Sequence, residues 1–119
     1  MEQTTYEGSC HCGAVRYEVT MAAPEKVFAG NCSLCSRAGW LLAMAPGTAF
    51  KLLSGEEALH DYQFGKKHLH HQFCATCGVR SFSYGADKDG GRMVAVNVRC
   101  LSGLDVSALP VENYDCAKL

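Results

Sequence analysis

The chain has 119 residues, of which 48% are hydrophobic and 19% charged, and its formal net charge at pH 7 is −1. This length suffices for one modest core, so we expect a single domain over residues 1–119. The longest basic run is Lys66-Lys67, which argues against a nucleic acid partner or an anionic lipid surface. Neither a signal-like apolar stretch nor eighteen consecutive apolar residues is present, so we expect a cytoplasmic protein without a membrane span.

Short segments typical of strands recur at intervals of roughly 8–12 residues, which favours a mainly β fold of a sandwich or folded-over sheet. The alternation of apolar and polar residues is clear in 14–19, 80–84 and 93–98. Helical content should be small, with single turns within 32–40 and 102–109, since no apolar helical period exceeds two turns. In chain order, the predicted strands are 14–19, 25–29, 41–45, 50–53, 59–64, 68–73, 80–84 and 93–98, with the fifth and sixth paired as a hairpin.

Six of the eight cysteines form three close pairs, and in a reducing compartment such pairs are more often metal ligands than disulfides. Zinc takes four thiolates in a tetrahedron, and two pairs from separate loops can supply them. Gly13 and Gly78 directly follow two of the pairs and can adopt the positive φ of a metal-binding knuckle. The alternative is that the cysteines are buried free thiols. The pairs are Cys10 and Cys12, Cys32 and Cys35, and Cys74 and Cys77, whereas Cys100 and Cys116 stand alone.

Three stretches around these pairs resemble the signatures of the glutathione-dependent formaldehyde-activating enzyme family, which includes the domain of centromere protein V. The stretches are GSCHCGAVRY at 8–17, NCSLC at 31–35 and HQFCATCGVRSF at 71–82, and NVRCL at 97–101 resembles a weaker fourth signature. The resemblance spans about residues 6 to 115. It implies Mss4-like, zinc-stabilised folded β-sheets with little helix. It also implies a structural zinc held by Cys10, Cys12, Cys74 and Cys77.

The second signature departs from the family pattern at one position. It normally begins with an additional cysteine, and the three thiolates then hold a second zinc with an open coordination position. In this chain Gly30 occupies that position, so only Cys32 and Cys35 remain as predicted ligands of a second zinc. Two thiolates need a third donor from elsewhere in the chain if they are to hold a catalytic ion firmly.

Three histidines before the third cysteine pair could supply that donor in a Cys₂His site. If 68–73 is a strand, His68 and His70 share one face and His71 lies on the other. The alternative is that these histidines form a solvated strand face. A further alternative is that the second cysteine pair binds no metal and cycles between dithiol and disulfide.

The resemblance implies carbon–sulfur lyase activity on a thiol–aldehyde adduct such as S-(hydroxymethyl)glutathione. Zinc is then the expected cofactor, and a small thiol such as glutathione is the expected partner. The competing hypothesis is a non-catalytic, zinc-stabilised binding module whose second metal site has degenerated, and Gly30 favours it. The sequence identifies no catalytic side chain and makes no prediction of the oligomeric state.

Overall fold

The computed structural model describes residues 3–31, 33–63, 69–86 and 91–114. These ranges contain ten strands and one short α-helix, joined by turns and single 3-10 turns. The strands are β1 (Gln3–Ser9), β2 (Arg16–Ala22), β3 (Val27–Gly30), β4 (Leu42–Pro46), β5 (Phe50–Ser54), β6 (Leu59–Tyr62), β7 (Leu69–Cys74), β8 (Arg80–Ala86), β9 (Arg92–Asn97) and β10 (Val111–Tyr114), and the helix is α1 (Ser33–Ala38).

The strands form two sheets. The smaller sheet has the order β1-β2-β5, and both of its strand pairs are antiparallel. The larger sheet has the order β10-β3-β4-β9-β8-β7-β6. Its pairs are antiparallel except for β10 with β3, which run parallel. The predicted hairpin is confirmed, because β6 pairs with β7, while the connection at 64–68 lies outside the described residues.

The core lies between the sheets and is centred on Tyr17 of β2, which is fully buried. Its ring stacks on Phe50 at 5.0 Å between centroids and meets Phe82 of the larger sheet edge-on at 5.6 Å. Its hydroxyl donates to the carbonyl of Ser81 at 3.1 Å, so the polar end of the ring is satisfied. Gly8 lies opposite Tyr17 in the β1–β2 register, and any Cβ there would overlap the tyrosine ring. A glycine is therefore needed where the ring crosses the neighbouring strand.

The alternating segments behave as their pattern predicts. Val19 of β2 and Val15 in the turn before it are fully buried. Val96 of β9 and Val98, which directly follows that strand, are fully buried as well. Because β9 is a central strand, Ala95 and Asn97 on its other face are buried as well. The apolar segments thus supply the core of both sheets.

The predicted fold class, mainly β with little helix, is confirmed. The helical turn expected within 32–40 is α1, and a 3-10 turn at Val106–Ala108 lies within the second expected region. Two strands, β1 and β10, were not predicted, and their omission is an error of the sequence analysis. No helix in the described part of the chain is long and apolar enough to cross a membrane.

Candidate metal centre and adjacent cavity

Two turns bring the first and third cysteine pairs together. Cys10 and Cys12 lie in the β1–β2 turn, whereas Cys74 ends β7 and Cys77 lies in the β7–β8 turn. The four sulfurs all lie within 4.8 Å of one another, with 3.6 Å from Cys10 to Cys12 and 3.6 Å from Cys12 to Cys74. A tetrahedral ion with metal–sulfur bonds of about 2.3 Å requires sulfur separations of about 3.8 Å. The donor set therefore fits a four-coordinate metal ion.

The two turns have matching backbone hydrogen bonds. The N–H of Cys10 donates to the carbonyl of Val15 at 3.1 Å, and the N–H of Cys74 donates to the carbonyl of Val79 at 3.1 Å. In each turn the first cysteine is thus tied to a residue five positions later, which closes the loop beneath the sulfurs. Both first cysteines are buried, with 4% of Cys10 and 1% of Cys74 exposed.

A glycine in the left-handed region completes each turn. Gly13 has φ +83° and Gly78 has φ +79°, as predicted for a knuckle. The N–H of Gly78 also donates to the carbonyl of Cys74 at 2.8 Å, which turns the chain back toward β8. These glycines allow the chain to reverse within four residues and to present two sulfurs to one point.

Backbone N–H groups around the sulfurs favour the thiolate form at the third pair. The N–H groups of Cys12 and Val79 lower the pKa of Cys77 to about 6. The pKa of Cys74 is lowered as well, chiefly by the N–H of Cys77. The N–H of Ala14 acts in the same direction on Cys12, but burial and the three neighbouring sulfur groups together raise the pKa of Cys12 to about 11. Four thiolates so close together repel one another, and a bound cation would relieve that repulsion.

A cavity of about 220 Å³ adjoins the β7–β8 knuckle. On one side it is bordered by α1 and the segment that follows α1, and on the other side by strands β6, β7 and β8. We call it the α1 cavity. Its described lining residues are Leu34, Trp40, Tyr62, His71, Phe73, Gly78 and Arg80.

Trp40 interacts with two of the other lining side chains. The guanidinium carbon of Arg80 lies 3.2 Å from the centroid of the Trp40 ring. The rings of Trp40 and His71 are nearly parallel, at an interplanar angle of 20°, and their centroids are 6.1 Å apart. The guanidinium is thus in cation–π contact with the indole, and the imidazole lies nearly parallel to it. Trp40 and Arg80 were not identified from the sequence, because neither belongs to a metal-ligand or catalytic motif.

His71 is buried, with 4% of its surface exposed, so the interpretation of this histidine as part of a solvated strand face is wrong. Desolvation, followed by the charge of Arg80, lowers its pKa to about 4, which leaves the imidazole neutral at pH 7. His70 lies on the other face of β7, as the alternation predicts. There it is half-buried, with its Nδ1 2.9 Å from a carboxylate oxygen of Asp61 and its ring stacked on Tyr84.

The predicted second zinc site is only partly visible. Cys35 is buried in α1, and Gly30 ends β3 opposite Tyr114 of β10. Cys32 and His68 lie outside the described residues. Within the described ranges, the four cysteines of the knuckles are the only group of three or more metal-ligating side chains. A second zinc on Cys32 and Cys35 therefore stays a prediction.

Comparison with known proteins agrees with the sequence resemblance. The sequence model of the family described as glutathione-dependent formaldehyde-activating enzyme matches residues 5–114. A crystal structure of a Rhodobacter sphaeroides protein is similar to this chain with a TM-score of 0.76 and 32% sequence identity. The similarity covers 89% of this chain and 99% of that one.

Proposed function

Since this chain belongs to the glutathione-dependent formaldehyde-activating enzyme family, we propose that it is a carbon–sulfur lyase acting on a thiol–aldehyde adduct such as S-(hydroxymethyl)glutathione. The observation that carries the proposal is the α1 cavity, where a buried cation and a neutral imidazole face a partly apolar space beside the cysteine centre. Such a concave site with a few convergent polar groups is the usual form of a small-ligand site. A reducing compartment such as the cytoplasm would supply the thiol.

The ion at the cysteine centre is proposed to be zinc with a structural role. Cys10, Cys12, Cys74 and Cys77 provide all four positions of a tetrahedron, so no position remains open for a substrate. The ion would tie the β1–β2 turn of the smaller sheet to the β7–β8 turn of the larger sheet. Because the second turn also borders the α1 cavity through Gly78, the ion would fix one wall of the proposed site.

The lyase reaction breaks the carbon–sulfur bond of the adduct. The sulfur leaves with the bonding electrons as a thiolate, the proton of the hydroxyl group passes to water, and formaldehyde is released without any change in total oxidation state. Arg80 can stabilise the anion that develops, because its guanidinium stays charged at all relevant pH values. His71 is neutral at pH 7 and can hold the hydroxymethyl group by a hydrogen bond without adding a second positive charge.

The second cysteine pair is proposed to contribute to the same site. Leu34 of α1 lines the cavity and directly precedes Cys35. A zinc ion with an open position there would lower the pKa of a bound thiol, so that a strong nucleophile or a stable leaving group exists at neutral pH. Of the two cysteines of this pair, Cys35 lies within the described residues, and it is buried.

The proposal is tested by the rate at which glutathione and formaldehyde exchange with their adduct, measured by NMR at equilibrium. We expect the purified protein to raise this rate above the spontaneous rate and Cys35→Ser to abolish the increase. Cys116→Ser is the matched control, since it removes one thiol outside the three pairs. An exchange rate equal to the spontaneous rate in the parent protein would rule out the lyase.

The alternative is a non-catalytic zinc-stabilised binding module. The observation that favours it is Gly30, which stands where the family's additional cysteine is expected. Gly30 is the last residue of β3 and pairs with the last residue of β10. Under this alternative, Gly30→Cys should raise the metal content by about one ion per chain and create an exchange activity that the parent protein lacks. Under the lyase proposal, the parent protein is already active and the substitution changes the rate only modestly.

A further inference from the structure

We propose that the α1 cavity recognises a carboxylate of its ligand through Arg80, and that it takes a compact carboxylate-bearing thiol or the carboxylate-bearing end of a longer one. This inference rests on the proposed function for the location of the site, but it concerns binding and not turnover. It assigns Arg80 and Trp40 as specificity-determining residues of the cavity.

The charge of Arg80 is held in place at the wall of the cavity. Arg80 begins β8, is 7% exposed and lines the cavity. One of its terminal nitrogens, Nη2, donates to the hydroxyl of Ser83 at 2.6 Å, and the guanidinium plane lies against the indole of Trp40. The cation is therefore held in one orientation before any ligand arrives. A fixed planar guanidinium can donate two parallel hydrogen bonds to the two oxygens of a carboxylate.

An indole donor lies beside the same cavity. Trp40 is 8% exposed, and its Nε1–H is buried and has no acceptor within the ranges that the structure describes. A buried donor without an acceptor is costly, and each such group calls for an explanation. A carboxylate bound against Arg80 could also accept from this indole, because the two side chains are in direct contact.

The remaining walls of the cavity carry no negative charge among the described residues. Leu34 and Phe73 are apolar and reduce the local dielectric, which strengthens the attraction between a cation and an anion. No acidic side chain is among the described lining residues, and His71 is neutral, so the wall carries a single positive charge. One positive charge in such a site favours a monoanion over a dianion.

The size of the cavity limits the size of its ligand. The cavity volume of about 220 Å³ lies below the roughly 300–1,000 Å³ of pockets that enclose a drug-sized ligand. The cavity therefore suits a compact ligand, or one carboxylate-bearing end of a longer thiol. A mercapto acid, in which one or two carbons separate sulfur from carboxylate, meets both the size and the charge requirement.

The test compares mercaptoacetate with its neutral analogue 2-mercaptoacetamide. Trp40 is the only tryptophan in the sequence, so intrinsic fluorescence reports on this cavity. We expect mercaptoacetate to change the emission with saturation and to bind at least about tenfold more tightly than the amide, because hydrogen bonds to a charged group are stronger than neutral ones. Equal affinities of the two compounds for the parent protein would overturn the inference.

Substitutions of Arg80 test whether this side chain causes the preference for mercaptoacetate over the amide. Arg80→Gln should bring the affinity for mercaptoacetate down to that for the amide, whereas Arg80→Lys should keep part of the preference, since lysine retains the charge but not the planar geometry. Arg92→Gln is the matched control, because Arg92 also lies over an aromatic ring, Tyr84 at 4.3 Å, but does not line the cavity. A preference that persists in Arg80→Gln, or that Arg92→Gln also removes, would contradict the inference.

The inference and the lyase proposal can fail separately. A parent protein that prefers mercaptoacetate through Arg80 but does not accelerate adduct exchange retains the inference and loses the lyase. A protein that accelerates exchange but binds the acid and the amide equally retains the lyase and loses the inference. If Arg80→Gln does not fold, the comparison of acid with amide on the parent protein still decides the question.

Discussion

Replacing Cys74 with serine removes the most buried of the four candidate ligands and tests whether the cysteine centre stabilises the fold. Cys74 is 1% exposed, and its sulfur lies 3.6 Å from that of Cys12. Its N–H and carbonyl are both bonded within the β7–β8 turn, so the substitution changes the sulfur and leaves the backbone bonds available. The serine oxygen is a poor ligand at neutral pH because its hydroxyl stays protonated.

The expected loss of stability follows from the number of ligands. Structural zinc contributes roughly 10–16 kcal/mol of apparent binding free energy in small zinc domains, so one ligand of four carries about 3 kcal/mol or more. Domains of this size are stable by only about 5–15 kcal/mol. A loss of about 3 kcal/mol lowers the melting temperature of such a domain by at least about 10 °C.

Cys100→Ser is the matched control. Cys100 is half-buried, and its sulfur contacts the carbonyl of Arg80 at 3.9 Å, a bond that a serine hydroxyl can replace. We expect this variant to lose less than about 1 kcal/mol. Melting is followed by circular dichroism, with metal content measured on the same samples and with excess chelator added to the parent protein. If Cys74→Ser melts within about 3 °C of Cys100→Ser, the cysteine centre does not stabilise the fold and the reasoning is refuted.

We also expect a glycine in the left-handed region and the buried His71 to affect stability in measurable ways. Gly55→Ala should lower the free energy of unfolding, measured in urea, by at least about 3 kcal/mol, because the new Cβ would overlap the carbonyl of Ala14. Gly103 also has a positive φ but lies in open space, so Gly103→Ala should lower it by only about 1–2 kcal/mol. Similar losses in the two variants would contradict the overlap at Gly55. The second prediction concerns acid. Folding lowers the pKa of His71 to about 4, so the contribution of its neutral imidazole to the free energy of unfolding is complete above pH 6.5 and is lost as pH falls toward 4, on the order of 3 kcal/mol in all. His71→Gln should flatten the dependence of the urea midpoint on pH between 7 and 5, with metal content followed at each pH. An unchanged slope would show that His71 does not cause this pH dependence.

Much of the fold follows from local pattern. The alternation around Tyr17 and Val96 predicts buried strands because a period of two places every second side chain on one face. The spacing of Cys74 and Cys77 with Gly78 predicts a knuckle, because the turn needs a positive φ at the glycine. These features depend on neighbours within a few residues, and sequence reasoning captures them.

The features that were missed depend on distant partners. All four residues of β10 are exposed, so the strand exists through its parallel pairing with β3 and not through any apolar pattern. β1 begins with three exposed polar residues, and only Tyr6 and Gly8 face the core. The burial of His71 is a third case, since alternation separates His70 from His71 but does not say which face the sheet covers.

The α1 cavity was missed for the same reason. Trp40 and Arg80 are forty positions apart in the sequence and meet only because the segment after α1 packs on the start of β8. The sequence signal that could have drawn attention to them is the presence of one tryptophan and one arginine close after two cysteine pairs. By itself that signal does not indicate a contact.

The most direct test of this account is the metal content of protein purified under reducing conditions, combined with alkylation of accessible thiols and mass spectrometry of the peptides. The account predicts at least one firmly bound zinc per chain, with Cys10, Cys12, Cys74 and Cys77 protected from alkylation until a strong chelator is added. Protein that is folded and free of metal, with these four thiols alkylated at the rate of exposed cysteines, would contradict it.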